Sequence, residues 1–276
     1  MMQQDIQIYQ IRQMNKNQDK VPSEDKDIKE ENEDKKESSL QVDPSQMNPQ
    51  IQFDILTLHP EMCISPLQMG LIGRACEKNI IQVQCHNFRE FGIGAYKQVD
   101  DTPYGGGSGM VIRVDVLEPA IQKLRTEHSL VLLMDPGGRV FEHQDAVRLS
   151  KQKHIIFVCG HYEGIDHRIH NHYVDEIFSI GDYVLTGGEL PAMVMINAIS
   201  RHVSGVLGNK ESVVEESFSN GILEPPVFTK PFVYKEHEVP EVLRSGNHKK
   251  IQEWREQQAL TRTKTHRPDL INKFDD

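Results

Sequence analysis

The sequence predicts an α/β protein, with a mainly parallel β-sheet that has helices on both faces and a small helical C-terminal domain. From Ile51 onward, short apolar runs alternate with segments of helical periodicity, as in strand–helix–strand units. With 276 residues, 37% of them hydrophobic, the chain can bury a sizeable core. Glycine-punctuated loops follow two of the apolar runs, where open α/β sheets place their ligands.

Each predicted strand is a short apolar run, and the predicted helices lie between such runs. The strands are expected at residues 52–58, 81–85, 130–134, 154–159 and 174–179. The helices are expected at residues 66–78, 114–125, 142–149 and 189–202, the last with an acidic residue and a proline in its first turn. After Gly205 a loop rich in Ser, Gly and Pro leads to a helix at about 247–261 and a short helix after Pro268.

Four parts are expected along the chain, namely a disordered acidic tail at 1–50, the sheet domain at 51–207, a linker at 208–238 and a helical domain at 239–276. The tail holds 11 acidic and 7 basic residues, and its stretch 16–39 has almost no apolar residue. Such a segment cannot bury enough surface to offset its chain entropy. It is either a solvated appendage, which the composition favours, or a regulatory arm that binds a partner.

Composition also excludes several classes of protein. The four cysteines are widely separated and form no C-x-x-C pair, which argues against a disulfide framework and structural zinc and suits a reducing compartment. No apolar run approaches the roughly 18–20 residues of a membrane span, and no secretory leader is visible. We therefore expect a cytoplasmic protein with no membrane partner.

The charge is distributed unevenly. A formal net charge of −10 argues against a protein that coats nucleic acid non-specifically. Residues 244–267, however, carry 7 Lys and Arg against 2 Glu, with Trp254 among them. Interleaved basic and aromatic side chains can grip phosphates and stack on a base. A solvated helix face with Trp254 as its core anchor explains the same pattern equally well.

The densest glycine run lies at 102–110, with the sequence TPYGGGSGM. Such runs let backbone N–H groups approach a ligand closely. No Gly-Lys-Ser/Thr follows, and the spacing is not the G-x-G-x-x-G of a dinucleotide site, so kinases and nucleotide-binding oxidoreductases lose support. A plain flexible loop is the alternative.

Two further glycine-punctuated loops leave neighbouring predicted strands, CGHYEGID at 159–166 and IGDYVLTGGELP at 180–191. Together they could shape a pocket with apolar walls and backbone hydrogen-bonding groups, which suits adenine. The same glycines could simply form turns. Between the loops, His167, His170 and His172 could suggest a metal site, but no H-E-x-x-H is present and surface histidines are commoner.

Several long motifs, taken together, resemble the bacterial tRNA (guanine-N1)-methyltransferase family. They are DDTPYGGGSGM, VCGHYEGIDHR, SIGDYVLTGGELPAM, SRHVSGVLG and RSGNHKKIQEWR. The resemblance covers about residues 53–270, whereas residues 1–46 have no counterpart. It implies a deep trefoil knot of the SPOUT class in the α/β domain, a homodimer with active sites at its interface, and methylation of tRNA at the guanosine of position 37.

The resemblance also implies that the methyl donor is S-adenosylmethionine, bound in a bent conformation in the knot, and that the family depends on magnesium (Mg2+), for which the sequence offers no site. Backbone groups of the segment 180–185 would read the adenine, and the glycine-rich loop at 104–109 would face the cofactor and the target base. The residues implied in cofactor binding are Pro136, Gly160, Ile180, Gly181, Asp182, Tyr183, Val184, Leu185, Gly187 and Gly188.

Two further residues are implied in catalysis. Guanine N1 carries a proton, so methylation needs a base at N1 and a cation where O6 becomes negative. Arg201 matches the family's arginine at O6, and Glu216 stands where the family has its aspartate base. Because a glutamate is one methylene longer, the alternative is a homologue that binds tRNA and cofactor with weak or no turnover. A second departure is Asp135, where a serine is typical; it could tune cofactor affinity or cap a turn.

Overall fold

The computed structural model describes residues 9–10, 48–208 and 216–272. The predicted disordered tail therefore lies outside the described residues, apart from its two short described pieces, as does part of the predicted linker. The chain divides into two compact units, Met1–Val206 and Leu207–Asp276.

The described residues form ten strands and eight α-helices, numbered in chain order. The strands are β1 Tyr9–Gln10, β2 Ile51–Thr57, β3 Ile81–Asn87, β4 Asp100–Asp101, β5 Val111–Ile112, β6 Ser129–Val140, β7 His154–Cys159, β8 Glu176–Ser179, β9 Val233–Tyr234 and β10 His237–Glu238. The helices are α1 Glu61–Gln68, α2 Gly70–Glu77, α3 Val114–Leu124, α4 His143–Leu149, α5 His167–His172, α6 Glu189–Arg201, α7 His248–His266 and α8 Pro268–Asn272.

The predicted mainly parallel sheet is confirmed. Its strand order is β1-β3-β2-β7-β6-β8, and β3, β2, β7, β6 and β8 all run parallel to their neighbours. Only β1 pairs antiparallel, with Tyr9 opposite Cys85. Because the order is not sequential, the chain repeatedly crosses over, and the crossovers carry the helices.

The sheet is covered on both faces, so its central strands β2 and β7 are almost entirely buried and rich in apolar residues. One face packs Phe53, Ile55 and Phe157 against α1, α2, α4 and α6. The other packs Leu56 and Ile156 against α3 and α5. Successive residues of a strand serve opposite faces, as the two-residue period of a strand requires.

Two predicted elements differ from the structure. The predicted helix at 66–78 is two helices, because Met69 is extended with φ −108° and ψ 163° and so ends α1. Pro66, taken as a helix start, instead lies inside α1. The predicted strand at 130–134 continues as β6 to Val140, beyond an Asp-Pro-Gly-Gly segment that reads as a turn.

A buried carboxylate joins three neighbouring strands of the sheet. Asp54 on β2 is 1% exposed. Its two oxygens lie 2.8 Å from His86 Nε2 on β3 and 2.6 Å from His154 Nε2 on β7. Burial alone would raise the pKa of Asp54, but the hydrogen bonds with His154 and His86 outweigh it and leave the pKa below its ordinary value.

The second unit contains the hairpin β9–β10 and the helices α7 and α8. Asn247 caps α7 by accepting a hydrogen bond from the Lys250 N–H at 3.1 Å. Trp254 on α7 is half-buried, with its ring centroid 6.2 Å from that of Phe228. No helix in the described part of the chain is long and apolar enough to cross a membrane.

Candidate functional site

A cleft of about 250 Å³ opens where three neighbouring strands end. Its walls come from the loops that follow β7 and β8 and from an irregular segment within β6. This is the carboxyl edge of a parallel sheet, where strand ends leave backbone groups available to a ligand. The two loops singled out in the sequence therefore meet in one cavity.

Nine of the ten residues predicted to bind cofactor line this cleft. They are Pro136, Gly160, Ile180, Gly181, Tyr183, Val184, Leu185, Gly187 and Gly188. The tenth, Asp182, is exposed and does not line it. The side chains of Tyr183 and Val184 are largely exposed, at 55% and 84%.

Glycines make one wall of the cleft. Gly188 donates its N–H to the carbonyl of Gly160 at 3.0 Å, which ties the two loops together. A Cβ built on Gly188 would lie 2.7 Å from Cys159 Cα, so no side chain fits there. Gly181 has φ +148°, a conformation that L side chains rarely adopt. The cleft is thus a backbone cradle, which fits a nucleoside read by main-chain groups.

A bulge in β6 makes a second wall. Met134 and Arg139 both pair with Phe178 on β8, so the four residues between them loop out. Asp135 Oδ1 accepts the Gly137 N–H at 2.7 Å, which closes this loop. The guanidinium of Arg139 stacks over the Phe178 ring with its Cζ 4.3 Å from the ring centroid.

Beside the bulge, Arg139 Nη1 and Nη2 donate to the two oxygens of Asp145 at 2.7 and 2.5 Å. Because of this fork-to-fork pairing, the pKa of Asp145 lies below its ordinary value even though burial opposes the shift. Arg139 also reaches Glu176 at 3.1 Å. These ion pairs therefore fix Arg139, the residue at the C-terminal end of the bulge.

Sequence reasoning missed a polar cluster behind the glycine wall. Glu189, the first residue of α6, is 1% exposed, and its Oε1 accepts from both Thr57 Oγ1 and His161 Nε2, the latter at 2.7 Å. Its Oε2 is buried and has no hydrogen-bond partner among the residues that the structure describes. A Cβ built on Gly187 would lie 2.5 Å from that oxygen, so Oε2 faces the wall. Thr57 and Glu189 are 132 positions apart, so no local pattern could have revealed the cluster.

The glycine-rich loop at 104–109 contacts the cleft through its last residue, Gly109. A Cβ on Gly109 would lie 2.2 Å from Cγ of Glu163, a residue of the cleft lining. The N–H of Glu163 donates to the carbonyl of Met110 at 3.0 Å. The loop therefore packs directly on one residue of the cleft.

The two residues predicted for catalysis belong to different units of the chain. Arg201 is the last residue of α6 and is half-buried. Glu216 lies in the second unit, as the first described residue after positions 209–215, and is also half-buried. Its carbonyl accepts the Ser219 N–H at 3.1 Å. Because the two residues belong to different units, their joint role in catalysis stays a prediction.

The sequence suggests a metal site at the three histidines of α5 as one alternative. The His167 and His170 rings lie 5.0 Å apart, and burial lowers the pKa of His170. Across residues 48–208 and 216–272, no group of three or more His, Cys, Asp or Glu side chains is placed to hold a metal ion. Magnesium stays a prediction of the family resemblance.

Comparison with known proteins agrees with the resemblance. The model of the tRNA (guanine-1)-methyltransferase TrmD family matches residues 51–273. Similar proteins include the tRNA (guanine-N(1)-)-methyltransferases of Staphylococcus aureus strains JH9, Newman and NCTC 8325. Each is 51% identical over 225 residues, which is 81% of this chain and 92% of the relative. The chain therefore belongs to the tRNA (guanine-1)-methyltransferase family.

Proposed function

We propose that this protein is a tRNA (guanine-N1)-methyltransferase that transfers a methyl group from S-adenosylmethionine to N1 of guanosine 37, next to the anticodon. The observation that carries the proposal is the glycine-walled cleft at the strand ends, in a chain 51% identical to proteins named for this activity. A cavity of about 250 Å³ with backbone walls suits a nucleoside-bearing ligand.

The cofactor would supply an electrophilic methyl group on its sulfonium. The cleft's task is to bind and orient it. Peptide groups of the segment 180–185 would recognise the adenine, and the glycine wall at Gly187 and Gly188 would allow the ligand to approach the main chain. Orientation matters because the reacting atoms must be held at about 3 to 3.5 Å and in line.

Two side chains would carry the chemistry at the base. Glu216 takes the proton from guanine N1, so the lone pair on N1 forms the new bond to the methyl carbon. The carbon–sulfur bond breaks and its electron pair stays on sulfur. Arg201 stabilises the negative charge that O6 gains as the proton leaves. The proposal assigns no step to magnesium.

The substrate and the assembly follow from the same family resemblance. The basic residues of α7, among them Lys249, Lys250 and Arg255, are exposed and available to tRNA phosphates. We further propose a homodimer with active sites at its interface, a trefoil knot in the first unit, and a cytoplasmic location suited to tRNA processing. Light scattering measures the dimer independently of activity.

Product analysis tests the proposed reaction. The protein is incubated with S-adenosylmethionine and a tRNA transcript, and the digested nucleosides are separated against standards. We expect 1-methylguanosine and no other methylated guanosine, because the proposed base removes the proton of N1. Methylation at another atom of guanine would contradict the assignment of the reaction.

A further inference from the structure

The charges around the cleft are unevenly balanced. Its lining contains the carboxylates of Asp135 and Glu163, and no Lys or Arg is among the described lining residues. A third carboxylate, Glu189, is buried behind the glycine wall with Oε2 turned toward Gly187, and within the described part of the chain this oxygen has no hydrogen-bond partner. Glu163 is exposed and Asp135 is half-buried, so water screens both in part, whereas Glu189 is buried; together the three carboxylates give the cleft a negative potential.

Nearby basic groups do not cancel this charge. Arg139 is bound to Asp145 and Glu176, and Arg168 donates to Asp166 at 2.7 and 2.9 Å. A protonated His161 would balance at most the one carboxylate that it contacts, Glu189.

His170 is the titratable group that interacts with Asp135. Burial lowers the pKa of His170, and the attraction of Asp135 only partly opposes that shift. His170 is therefore neutral at pH 7.5 and leaves the charge of Asp135 in place. The Gly137 N–H that Asp135 accepts is itself neutral. Asp135 therefore keeps its charge at the cleft.

We propose that this negative cleft selects its ligand by charge, so that it binds the cationic sulfonium cofactor more tightly than the thioether left after methyl transfer. The inference rests on the proposed function. The cofactor carries a sulfonium and an ammonium against one carboxylate, a net charge of +1, whereas the thioether product has no net charge. The same carboxylates that attract the methyl donor therefore give the spent cofactor no such attraction and favour its exchange.

Asp135 is the residue to vary, because asparagine keeps its shape and can still accept the Gly137 N–H. Calorimetry measures dissociation constants for three probes: S-adenosylmethionine, S-adenosylhomocysteine and an analogue with a protonated amine in place of the sulfonium. In Asp135→Asn we expect the two cations to bind about three- to ten-fold more weakly. The neutral thioether should bind as it does to the parent.

Glu163→Gln should act in the same direction, which keeps the test available should either variant fold poorly. Glu127→Gln is the control, since the Glu127 side chain is 84% exposed and lies outside the cleft. Equally weakened binding of the cations and the thioether would overturn selection by charge. Unchanged dissociation constants in both variants would also overturn it. A parent protein that binds neither cofactor form would contradict the proposed function itself, whereas one that binds both equally would contradict only this inference.

Discussion

At the scale of single residues, the proposed methyl transfer depends on one carboxylate and one guanidinium. Glu216 and Arg201 are half-buried, so each is partly shielded from water without being removed from it. A carboxylate that is only half-buried is accessible to a nucleobase and can accept a proton from guanine N1. The cleft, in contrast, has a wall of glycines, where a side chain would collide with neighbouring atoms.

Glu216→Gln should reduce the single-turnover rate of methyl transfer by about 10²- to 10⁴-fold at every accessible pH, because the amide cannot accept the N1 proton. Cofactor affinity should not change. Glu216→Asp should retain or improve the rate, since it restores the family's side chain. Glu215→Gln, one residue earlier, is the matched control. A Glu216→Gln protein as fast as the parent would exclude Glu216 as the base.

Arg201→Ala should lower the rate of transfer by about 10²- to 10³-fold while tRNA affinity falls much less, because the guanidinium acts mainly on the charge that O6 gains in the transition state. Rapid-quench rates and filter-binding constants separate the two effects. Arg201→Lys should recover part of the rate. A variant that loses binding and rate in equal measure would instead assign Arg201 to ground-state binding.

At the scale of elements, the bulge in β6 positions one wall of the cleft. A Cβ on Gly138 would lie 2.6 Å from the backbone nitrogen of Phe178, whereas one on Gly137 would meet only the Asp135 carboxylate, at 3.0 Å. The paired backbone of β8 cannot move aside as a side chain can. Neighbouring glycines of one loop thus differ in what they tolerate.

Gly138→Ala should destabilise the protein by about 1–3 kcal/mol and weaken cofactor binding, because overpacking displaces β8 from the bulge. Gly137→Ala should change both quantities much less. Thermal unfolding and calorimetry on the two variants provide the comparison. Equal effects of both substitutions would show that the contact with Phe178 does not hold this wall.

A second element-level prediction concerns the joint between β2, β3 and β7. Asp54→Asn should destabilise the protein by about 1–3 kcal/mol at neutral pH, because it weakens the hydrogen bonds to His86 and His154. The pKa of Asp54 is depressed in the folded state, so its contribution is fully present above the ordinary value of 3.8 and disappears as the pH falls through the lower folded pKa.

Denaturant unfolding from neutral pH to below 3.8 measures this dependence. The difference in unfolding free energy between parent and variant should shrink toward the acid end. Asp182→Asn, at an exposed aspartate, should show no such trend. A difference that stays constant with pH would indicate that Asp54 contributes through shape and not through charge.

Sequence and structure agree where the signal is local. The mostly apolar strands β2 and β7 and the glycine loops that follow β7 and β8 are visible as short patterns, because a strand covered on both faces is rich in apolar residues. The pairing of Glu189 with Thr57 and His161 depends on the tertiary fold and leaves no local trace. The continuation of β6 past Asp135 was missed because Asp-Pro-Gly-Gly is a turn sequence that here forms a bulge.

At the scale of the whole molecule, the family match begins at residue 51, so the acidic N-terminal segment lies outside the part that it covers. A chain that starts at Met47 loses the two-residue edge strand β1 but should keep its dimer and its cofactor affinity, because the cleft lining lies between Met134 and Pro191 and the acidic stretch cannot build a core. Light scattering and calorimetry compare it with the full chain. Loss of either property would assign the tail a structural role.

The proposed reaction is methylation of guanosine 37 in tRNA. The most direct measurement is transfer of a labelled methyl group from S-adenosylmethionine to two tRNA transcripts that differ only at position 37, one with guanosine and one with adenosine. We predict incorporation approaching one methyl group per transcript with guanosine and none with adenosine. Equal labelling of both transcripts, or no labelling of either by a protein that still binds tRNA and cofactor, would contradict methylation of guanosine 37.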